Sequence, residues 1–241
     1  MLTHPLNELG IYGALGAQHL WSAWSYPTDG TWKALIGGVN LIAKTAGPPS
    51  RSTHLSNAST IRYQAALVCP FTYSGFYANI GAIGTAFTIV CAGISVYSAG
   101  EKYYALCLAN GPGYAAPAPA ALQRGDSISQ SIGYRVNAGA GLTTPSFGTS
   151  TVPFVAICTT SGSGATLRLN QLSKLSAALV PDANYHLNQY IHVHGYQTDG
   201  SGRLGGDSIC ELAIFRRILS DADAVTLMNH RCGRMGISVG A

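Results

Sequence analysis

The clearest β-hairpin signal in this sequence is FVAICTTSGSGATLRLNQ, residues 154–171. Its first five residues are all apolar, as expected for a strand that is buried on both faces. Near its end, leucines alternate with polar residues, as in a strand with one exposed face. Between these parts, the Ser-Gly-Ser-Gly of residues 161–164 tolerates the positive φ values of a tight turn. The stretch therefore predicts two antiparallel strands.

The same alternation of strand and turn signals recurs along the chain. Short runs rich in Val, Ile, Tyr, Phe and Thr are separated by clusters of Gly, Pro, Ser and Asn, which favours a β-sandwich or barrel over a βαβ fold. Residues 110–123 contain three prolines and are predicted to form an exposed loop. The predicted strands are Ile61–Val68, Phe87–Tyr97, Tyr103–Ala109, Ser127–Val136, Phe154–Thr159, Thr166–Leu172, Tyr190–Tyr196 and Ser208–Arg216.

One helix is predicted, close to the end of the sequence. Ser220 has a side chain typical of an N-cap, and Asp223 follows at the capping-box position. Gly233 supplies a C-terminal stop. The predicted apolar stripe consists of Val225, Met228 and Cys232.

The composition excludes several classes of protein. Charged residues make up 10% of the 241 residues and hydrophobic residues 47%, whereas globular proteins average about 25% charged residues. This balance argues against disorder and against a coiled coil. The formal net charge is +4, but the longest basic run is Arg216-Arg217, so we expect no nucleic-acid partner. A chain with so few charges is suited to a place inside an assembly.

The six cysteines are widely spaced and match no zinc motif. Four of them lie in apolar runs that resemble strands, so we expect buried, reduced thiols. The N-terminus lacks the pattern of a signal peptide, and we expect synthesis in a reducing host cytoplasm. Residues 80–96 approach the length of a membrane span, but their glycines and hydroxyl side chains favour a turn followed by a buried strand. No membrane partner is expected.

The segment GGDSICELAIFRRILSDADAVTLMNHRCGRMGI, residues 205–237, resembles the end of a laminin-G-like or concanavalin A-like jelly-roll domain. The hairpin at 154–171 and the tryptophan-bearing stretch at 19–50 are similar to other parts of such domains. The positions matching the family pattern are Gly206-Asp207, Glu211-Leu212, Phe215, Arg216-Arg217, Leu219-Ser220, Gly236-Ile237 and, upstream, Asn40-Leu41. The family often has Asn-Gly where this sequence has Asn170-Gln171, so that turn is expected to differ.

This resemblance implies an all-β fold: an antiparallel β-sandwich of the jelly-roll type with one short C-terminal helix. We predict an N-terminal arm at residues 1–16, which docks on a neighbouring subunit, and a single jelly-roll domain at residues 17–241. The fold hosts lectins, glucanases, adhesion modules and virion proteins, so it does not determine the function.

Catalysis is not expected from the acidic residues. Glucanases of this fold present Glu-x-Asp-x-x-Glu or a close variant along one strand, and the sequence contains no such string among its ten acids. Asp207 and Glu211 are four residues apart, which places them about 13 Å apart on one strand face. This separation is too large for glycoside hydrolysis. We therefore predict that the chain is not an enzyme.

A glycan site is the main binding hypothesis from local sequence. Sugars stack on exposed aromatic rings while amide and carboxylate groups orient their hydroxyls. The candidate carbohydrate-binding residues are Tyr185, His186, Asn188, Tyr196 and Asp199. His192 and His194 alternate on a predicted strand, and either bind zinc or copper or form its polar face. The sequence supplies no third ligand, so we expect no cofactor and no metal.

Three functions follow, in this order. The first is a non-catalytic structural protein of a bacteriophage virion: a capsid decoration, head-fibre or tail-fibre component. It would be located in the virion and act as a homo-oligomer through contacts with other virion subunits. The second is a carbohydrate-binding adhesion module that recognises a bacterial surface glycan. A glycoside hydrolase is the third.

Overall fold

The structure is a computed structural model, and it describes twelve parts of the chain. These are residues 6–25, 29–44, 50–52, 66–68, 75–95, 103–109, 120–124, 132–135, 141–143, 152–178, 188–193 and 208–241. Within them, sixteen strands, two α-helices and one short 3-10 helix follow one another along the chain.

The first half of these elements comprises α1 (Leu6–Ala14), β1 (His19–Ser22), the 3-10 helix (Ala23–Ser25), β2 (Thr31–Trp32), β3 (Leu41–Ala43), β4 (Ser50–Ser52), β5 (Ala66–Val68), β6 (Phe76–Ala82), β7 (Phe87–Ser95) and β8 (Tyr103–Ala109). The second half comprises β9 (Ala120–Arg124), β10 (Ile132–Arg135), β11 (Gly141–Thr143), β12 (Val152–Ser161), β13 (Gly164–Leu169), β14 (Leu175–Ala177), β15 (Asn188–Val193), β16 (Ser208–Phe215) and α2 (Asp221–Met235).

The strands form two antiparallel sheets, which confirms the predicted β-sandwich. Sheet A has the strand order β14-β13-β12-β7-β16-β5-β4, with β1 also paired to β16. Sheet B has the order β11-β10-β9-β8-β15-β6-β3-β2. The predicted hairpin at 154–171 is β12 and β13, which pair from Ala156↔Leu169 to Ser161↔Gly164. The prediction that residues 154–158 are buried on both faces is confirmed. The exposed face predicted for β13 is wrong at Arg168, which is 5% exposed because its guanidinium bonds to the Leu172 carbonyl and to Asp221.

The main core lies between the sheets, where residues from both sheets form one buried cluster. Its largest side chains include Trp21, Trp32, Phe76 and Phe154, all at most 1% exposed. The indole N–H of Trp21 donates to the Val39 carbonyl at 2.8 Å. That of Trp32 donates to a backbone carbonyl at 2.7 Å. Burying both rings therefore leaves no indole donor without an acceptor.

A second core lies on the other face of sheet A, under both α-helices. Tyr12 of α1 and Leu227 of α2 pack in a cluster with Val90, Val155 and Phe215 of the sheet. The predicted burial of the cysteines is confirmed for the four whose side chains are described, which are Cys91, Cys158, Cys210 and Cys232. Burial raises the pKa of the Cys158 thiol, and it raises that of Cys232 to about 11.

Helix α2 agrees with the prediction at its start and differs at its end. Ser220 is the N-cap and accepts a hydrogen bond from the Asp223 N–H at 3.1 Å. The stop is Gly236, at φ 68°, because Gly233 continues the helix. Val225 is half-buried and does not belong to the buried face. That face consists of Ala224, Leu227, Met228, Arg231, Cys232 and Met235.

Two other elements differ from the prediction. The interval 110–123 was predicted to be an exposed loop, but its last residues begin β9, with Ala120 and Leu122 buried in the main core. Helix α1 was not predicted, because Gly10 and Gly13 lower its helix propensity. The neighbouring-subunit docking predicted for residues 1–16 stays a prediction. Among the described residues, no helix is both long and apolar enough to span a membrane.

The turn at Asn170, where the family pattern often has Asn-Gly, is held by a specific set of hydrogen bonds. Asn170 adopts a positive φ of 54°, which Asn tolerates better than most residues. Its Oδ1 accepts from the Val155 N–H at 2.7 Å, and its Nδ2 donates to the Pro153 carbonyl at 3.2 Å. Its carbonyl accepts from the Gly240 N–H at 3.0 Å, so the C-terminal residues are attached to this turn.

Candidate functional site

The outer face of sheet B holds the best-defined group of accessible aromatic and polar side chains in the described part of the chain. Side chains alternate between the two faces of a strand. In β6, Phe76, Ala78 and Ile80 belong to the main core, so Tyr77 and Asn79 lie on the opposite, outer face. The two described helices pack on sheet A and leave this face of sheet B uncovered by either of them.

Strand pairing places one residue of each strand in a single row across this face. Because paired residues lie directly opposite each other, the row runs perpendicular to the strands, and its members are about 4.8 Å apart. From the β2 edge to the β11 edge, the row consists of Thr31, Ile42, Tyr77, His192, Cys107, Ala121, Arg135 and Gly141. A second, shorter row consists of Asn79, Tyr190 and Ala109.

Tyr77 is the aromatic residue of the accessible part of the first row, and it lies next to the fully buried His192. Its ring and that of His192 are stacked, with centroids 6.2 Å apart and an interplanar angle of 18°. Because His192 is fully buried and Tyr77 only half-buried, the histidine supports the tyrosine ring from one side. On the other side, Ile42 is 55% exposed. The arrangement is an accessible aromatic ring beside an accessible aliphatic side chain.

Polar groups lie one row away on the same face. Asn79 is exposed, and its Oδ1 accepts the Gly81 N–H at 2.8 Å, which orients the amide at the β6–β7 turn. Tyr190 lies opposite Asn79 and is half-buried. An aromatic ring, an aliphatic group and a small number of oriented polar groups are the usual composition of a small-ligand site.

The structure describes one of the five carbohydrate-binding candidates from the sequence. Asn188 is the first residue of β15, paired with Ala82. Tyr185, His186, Tyr196 and Asp199 lie outside the described residues, as does His194.

Tyr77, Asn79 and Ile42 were not among the residues predicted from the sequence, because they come from strands more than a hundred residues before β15. The alternation in FYANIGA, residues 76–82, was the signal available for two of them. This alternation indicates which side chains of the strand point away from the core, but it does not indicate which other strands pair with it.

A different polar cluster lies buried between sheet A and the helices. Glu211 of β16, 2% exposed, forms an ion pair with Arg231 of α2, with Oε1 and Nε 3.0 Å apart. The Tyr12 hydroxyl of α1 donates to the same carboxylate. A β-bulge between Ile209 and Glu211 breaks the alternation of β16, so Glu211 faces the helices. The predicted shared face of Asp207 and Glu211 therefore does not follow, and Asp207 lies outside the described residues.

His19 is a buried titratable group at the edge of the main core. It is 4% exposed, and its ring stacks on Trp21 with centroids 5.3 Å apart. Burial, followed by the positive charge of Arg216, lowers the His19 pKa from 6.5 to about 4, against a smaller opposing effect of the Ile80 backbone. The ring is therefore neutral at physiological pH.

The described ranges contain no set of side chains that could bind a metal ion. No three His, Cys, Asp or Glu side chains there are placed to hold an ion together. The expectations of no metal and no cofactor stay predictions.

No protein-family model and no curated protein match the chain. It is similar to several solved structures. A mutant of Trypanosoma rangeli sialidase that displays trans-sialidase activity matches with a TM-score of 0.63 and 13% identity over 92% of this chain and 33% of that one. The same organism's sialidase in complex with 2,3-difluorosialic acid matches with a TM-score of 0.61 and 12% identity over 88% and 33%.

A third similar structure concerns cell entry of botulinum neurotoxin type C, described as dependent on interaction with two ganglioside molecules. It matches with a TM-score of 0.58 and 10% identity over 92% of this chain and 53% of that one. The chain thus spans about a third of the sialidase chains and about half of the toxin chain. At these identities the likeness shows the fold alone, an antiparallel β-sandwich.

These comparisons correct one prediction from the sequence. We predicted that the chain is not an enzyme, and the matched sialidases, which are glycoside hydrolases, contradict that exclusion. The exclusion depended on the absence of a glucanase-like acid string, which is only one way for a protein of related fold to present catalytic groups.

Proposed function

We propose that this chain is a carbohydrate-binding β-sandwich domain that contacts its ligand through the outer face of sheet B. The observation that supports this most directly is the partly exposed Tyr77 ring, which stacks on His192 and is flanked by the 55% exposed Ile42. Sugars present C–H groups on one face, which pack on aromatic and aliphatic side chains. Asn79, on the same face, offers an amide for hydroxyl groups.

The structural neighbours support the same class of ligand. They include sialidases and a toxin whose cell entry depends on gangliosides. Sialylated oligosaccharides are therefore the first probes to use. The five candidates from the sequence belong to β15 or lie close to it in the sequence, and β15 is a central strand of sheet B. We therefore keep them in the proposal as further residues that contact the glycan.

The virion role predicted from the sequence receives no support from these comparisons, and the same holds for virion subunits and a homo-oligomer as partners. The location in a virion stays a prediction. A glycan-binding domain in that setting would serve adhesion to a host surface.

The test is a glycan array with the purified chain, followed by titration calorimetry on the best ligand. We expect Tyr77→Ala to weaken binding at least tenfold and Ile42→Ala to weaken it severalfold, because both remove accessible contact area. The matched control is Ile218→Ala, which truncates another exposed isoleucine, 44% exposed, on the segment between β16 and α2. It should bind within twofold of the unmodified chain.

Two results would overturn the proposal. One is a folded chain that binds no glycan on the array, and the other is a Tyr77→Ala variant that binds as well as the Ile218→Ala control. The best ligand is also incubated with the chain and analysed for hydrolysis products. Cleavage of a glycosidic bond would extend the proposal from binding to catalysis.

A further inference from the structure

A further group of side chains lies on the outer face of sheet B, about 7 Å along the strands from Ile42 and Tyr77. It consists of Lys33, Asn40 and Asn79, all of which are exposed. Each is two residues from the member of the first row that β2, β3 or β6 supplies. Because these three strands pair antiparallel in this order, the three residues lie in the same direction from that row.

The residues on either side show that these three side chains point away from the core. Each lies between two residues that belong to the main core or pack against it, and is itself exposed, so it faces the opposite side of the sheet. The flanking residues are Trp32 and Ala34, Val39 and Leu41, and Ala78 and Ile80. The three positions therefore share the accessible face with the Tyr77 ring.

Both asparagine amides present hydrogen-bond donors to this face. The Asn40 Oδ1 accepts the Ala34 N–H at 3.1 Å, and the Asn79 Oδ1 accepts the Gly81 N–H at 2.8 Å. Because a backbone N–H can only donate, these bonds turn the oxygen of each amide towards the backbone and leave its NH2 group for a ligand. The ammonium of Lys33 also only donates. Lys33, Asn40 and Asn79 therefore form a donor row.

The positive charge of the donor row is not neutralised within the described ranges. There, the Lys33 ammonium has no hydrogen bond or ion pair, whereas that of Lys174, next to β14 of sheet A, binds both carboxylate oxygens of Asp221. The described strands of sheet B contain no Asp or Glu. Asp29 precedes β2, whereas Lys33 follows it, and the Asp29 carboxylate accepts the Thr31 N–H at 2.9 Å. The donor row therefore favours a ligand that carries a negative charge.

We propose that the glycan ligand has an anionic group, a carboxylate or a sulfate, and that the donor row binds it. This inference rests on the proposed glycan binding at the same face and deepens it. Oxygens of these groups only accept hydrogen bonds, and bonds between charged groups are roughly twice as strong as neutral ones. Tyr77 and Ile42 supply contact area to sugars of any charge, whereas the donor row selects anionic ones.

The test compares four probes that share one disaccharide: sialyllactose, its carboxylate methyl ester, lactose sulfate and lactose. Binding of each is measured by calorimetry at low and high salt. We expect at least one anionic probe to bind the unmodified chain at least tenfold more tightly than its uncharged counterpart, with the preference shrinking at 1 M salt because exposed charges are screened. The two anionic probes distinguish a carboxylate from a sulfate. If the array selects another acidic glycan, that glycan and its uncharged form replace them.

The first variant removes the charge of the donor row. Lys33→Gln should reduce the preference for the anionic probe at least fivefold, because only neutral donors are left to bind it. The matched control is Lys174→Gln, which removes the same charge beside sheet A and should keep the full preference.

The second variant reverses the hydrogen-bonding character of one amide. In Asn79→Asp, the new carboxylate keeps an oxygen for the Gly81 N–H but replaces the NH2 donor with a charged acceptor. It should bind the anionic probe no better than the uncharged one. Asn229→Asp makes the same substitution at an exposed position of α2 and should keep the full preference. Asn40→Asp, which likewise keeps its backbone bond, takes the place of Asn79→Asp if that variant does not fold.

The outcomes separate this inference from the proposed function. Equal binding of charged and uncharged probes by the unmodified chain, or an array on which only neutral glycans bind, overturns the anionic ligand. A full preference in Lys33→Gln, or a preference that persists in the Asn→Asp variant, overturns the donor row. Glycan binding at the Tyr77 face stands in each of these cases. Failure of the unmodified chain to bind any probe, together with an empty array, overturns both.

Discussion

The two outer faces of this sandwich differ in whether their polar groups are buried or accessible. On sheet A, Glu211 is covered by both helices and its carboxylate is occupied by Arg231 and Tyr12. On sheet B, Tyr77 and Asn79 lie on the corresponding outer face but remain accessible. One face thus joins layers of the fold, whereas the other leaves Tyr77 and Asn79 accessible beside a fully buried His192.

The difference teaches where substitutions should affect stability and where they should affect binding. A buried ion pair with one partner removed leaves a desolvated charge without compensation, which is strongly destabilising. An accessible side chain contributes little to folding, because it is partly solvated in both states. Predictions on the two faces therefore have different readouts.

The largest expected effect is on the covered face. Glu211→Ala should lower the free energy of unfolding by about 3–5 kcal/mol, because Arg231 stays buried without its carboxylate. Tyr77→Ala, on the accessible face, should lower it by about 1 kcal/mol or less. Urea unfolding monitored by circular dichroism measures both.

A double variant tests the cause. Replacing both charges, as in Glu211→Leu with Arg231→Met, should cost less stability than Glu211→Ala alone, because no buried charge is left over. If the double variant is the less stable of the two, or if Tyr77→Ala costs as much as Glu211→Ala, the assigned contrast between the faces is wrong.

The second expected effect is a pH dependence of stability that comes from His19, a residue that lies on neither of the two outer faces. His19 has a folded-state pKa of about 4 against 6.5 when unfolded, so the unfolded chain binds the proton more readily. Its contribution is complete above pH 6.5 and is lost as the pH falls from 6.5 to 4, by about 3 kcal/mol. His19→Gln should lack this component in unfolding measured across that range. An unchanged pH profile in the variant would contradict the assignment.

The smallest effect concerns an exposed ion pair in the helical layer. Asp221 is 64% exposed, and hydrogen bonds from Lys174 and then Arg168 lower its pKa to about 2. The stabilisation is present above the ordinary pKa of 3.8 and disappears as the pH falls towards 2. Asp221 itself is largely solvated, and the buried Arg168 keeps its Nε hydrogen bond to the Leu172 carbonyl at 2.9 Å, so Asp221→Asn should cost about 1 kcal/mol or less, and 1 M salt should reduce the difference further. A loss comparable to that of Glu211→Ala would mean that exposure does not separate the two acids.

Local patterns predicted the elements that depend on neighbours in sequence. The β12–β13 hairpin and the start of α2 were predicted correctly, because a turn needs flexible residues and an N-cap needs a side-chain acceptor at one position. Helix α1 and strand β9 were missed for the converse reason. α1 is held by packing of Tyr12 on Phe215, with ring centroids 6.2 Å apart, and β9 by its pairing with β8 and β10.

The sequence by itself determined the fold class, since alternation of apolar and polar residues and the positions of turn residues are properties of short segments. It also determined which residues of a regular strand share a face, although not in β16, where a β-bulge breaks the alternation. Only the tertiary structure decided that Tyr77, His192 and Arg135 lie in one row, because strand pairing joins segments that are distant in the chain. It also decided which sheet the helices cover, since that depends on their packing against strands that are distant in the chain and on the contacts of Tyr12 and Arg231 with Glu211.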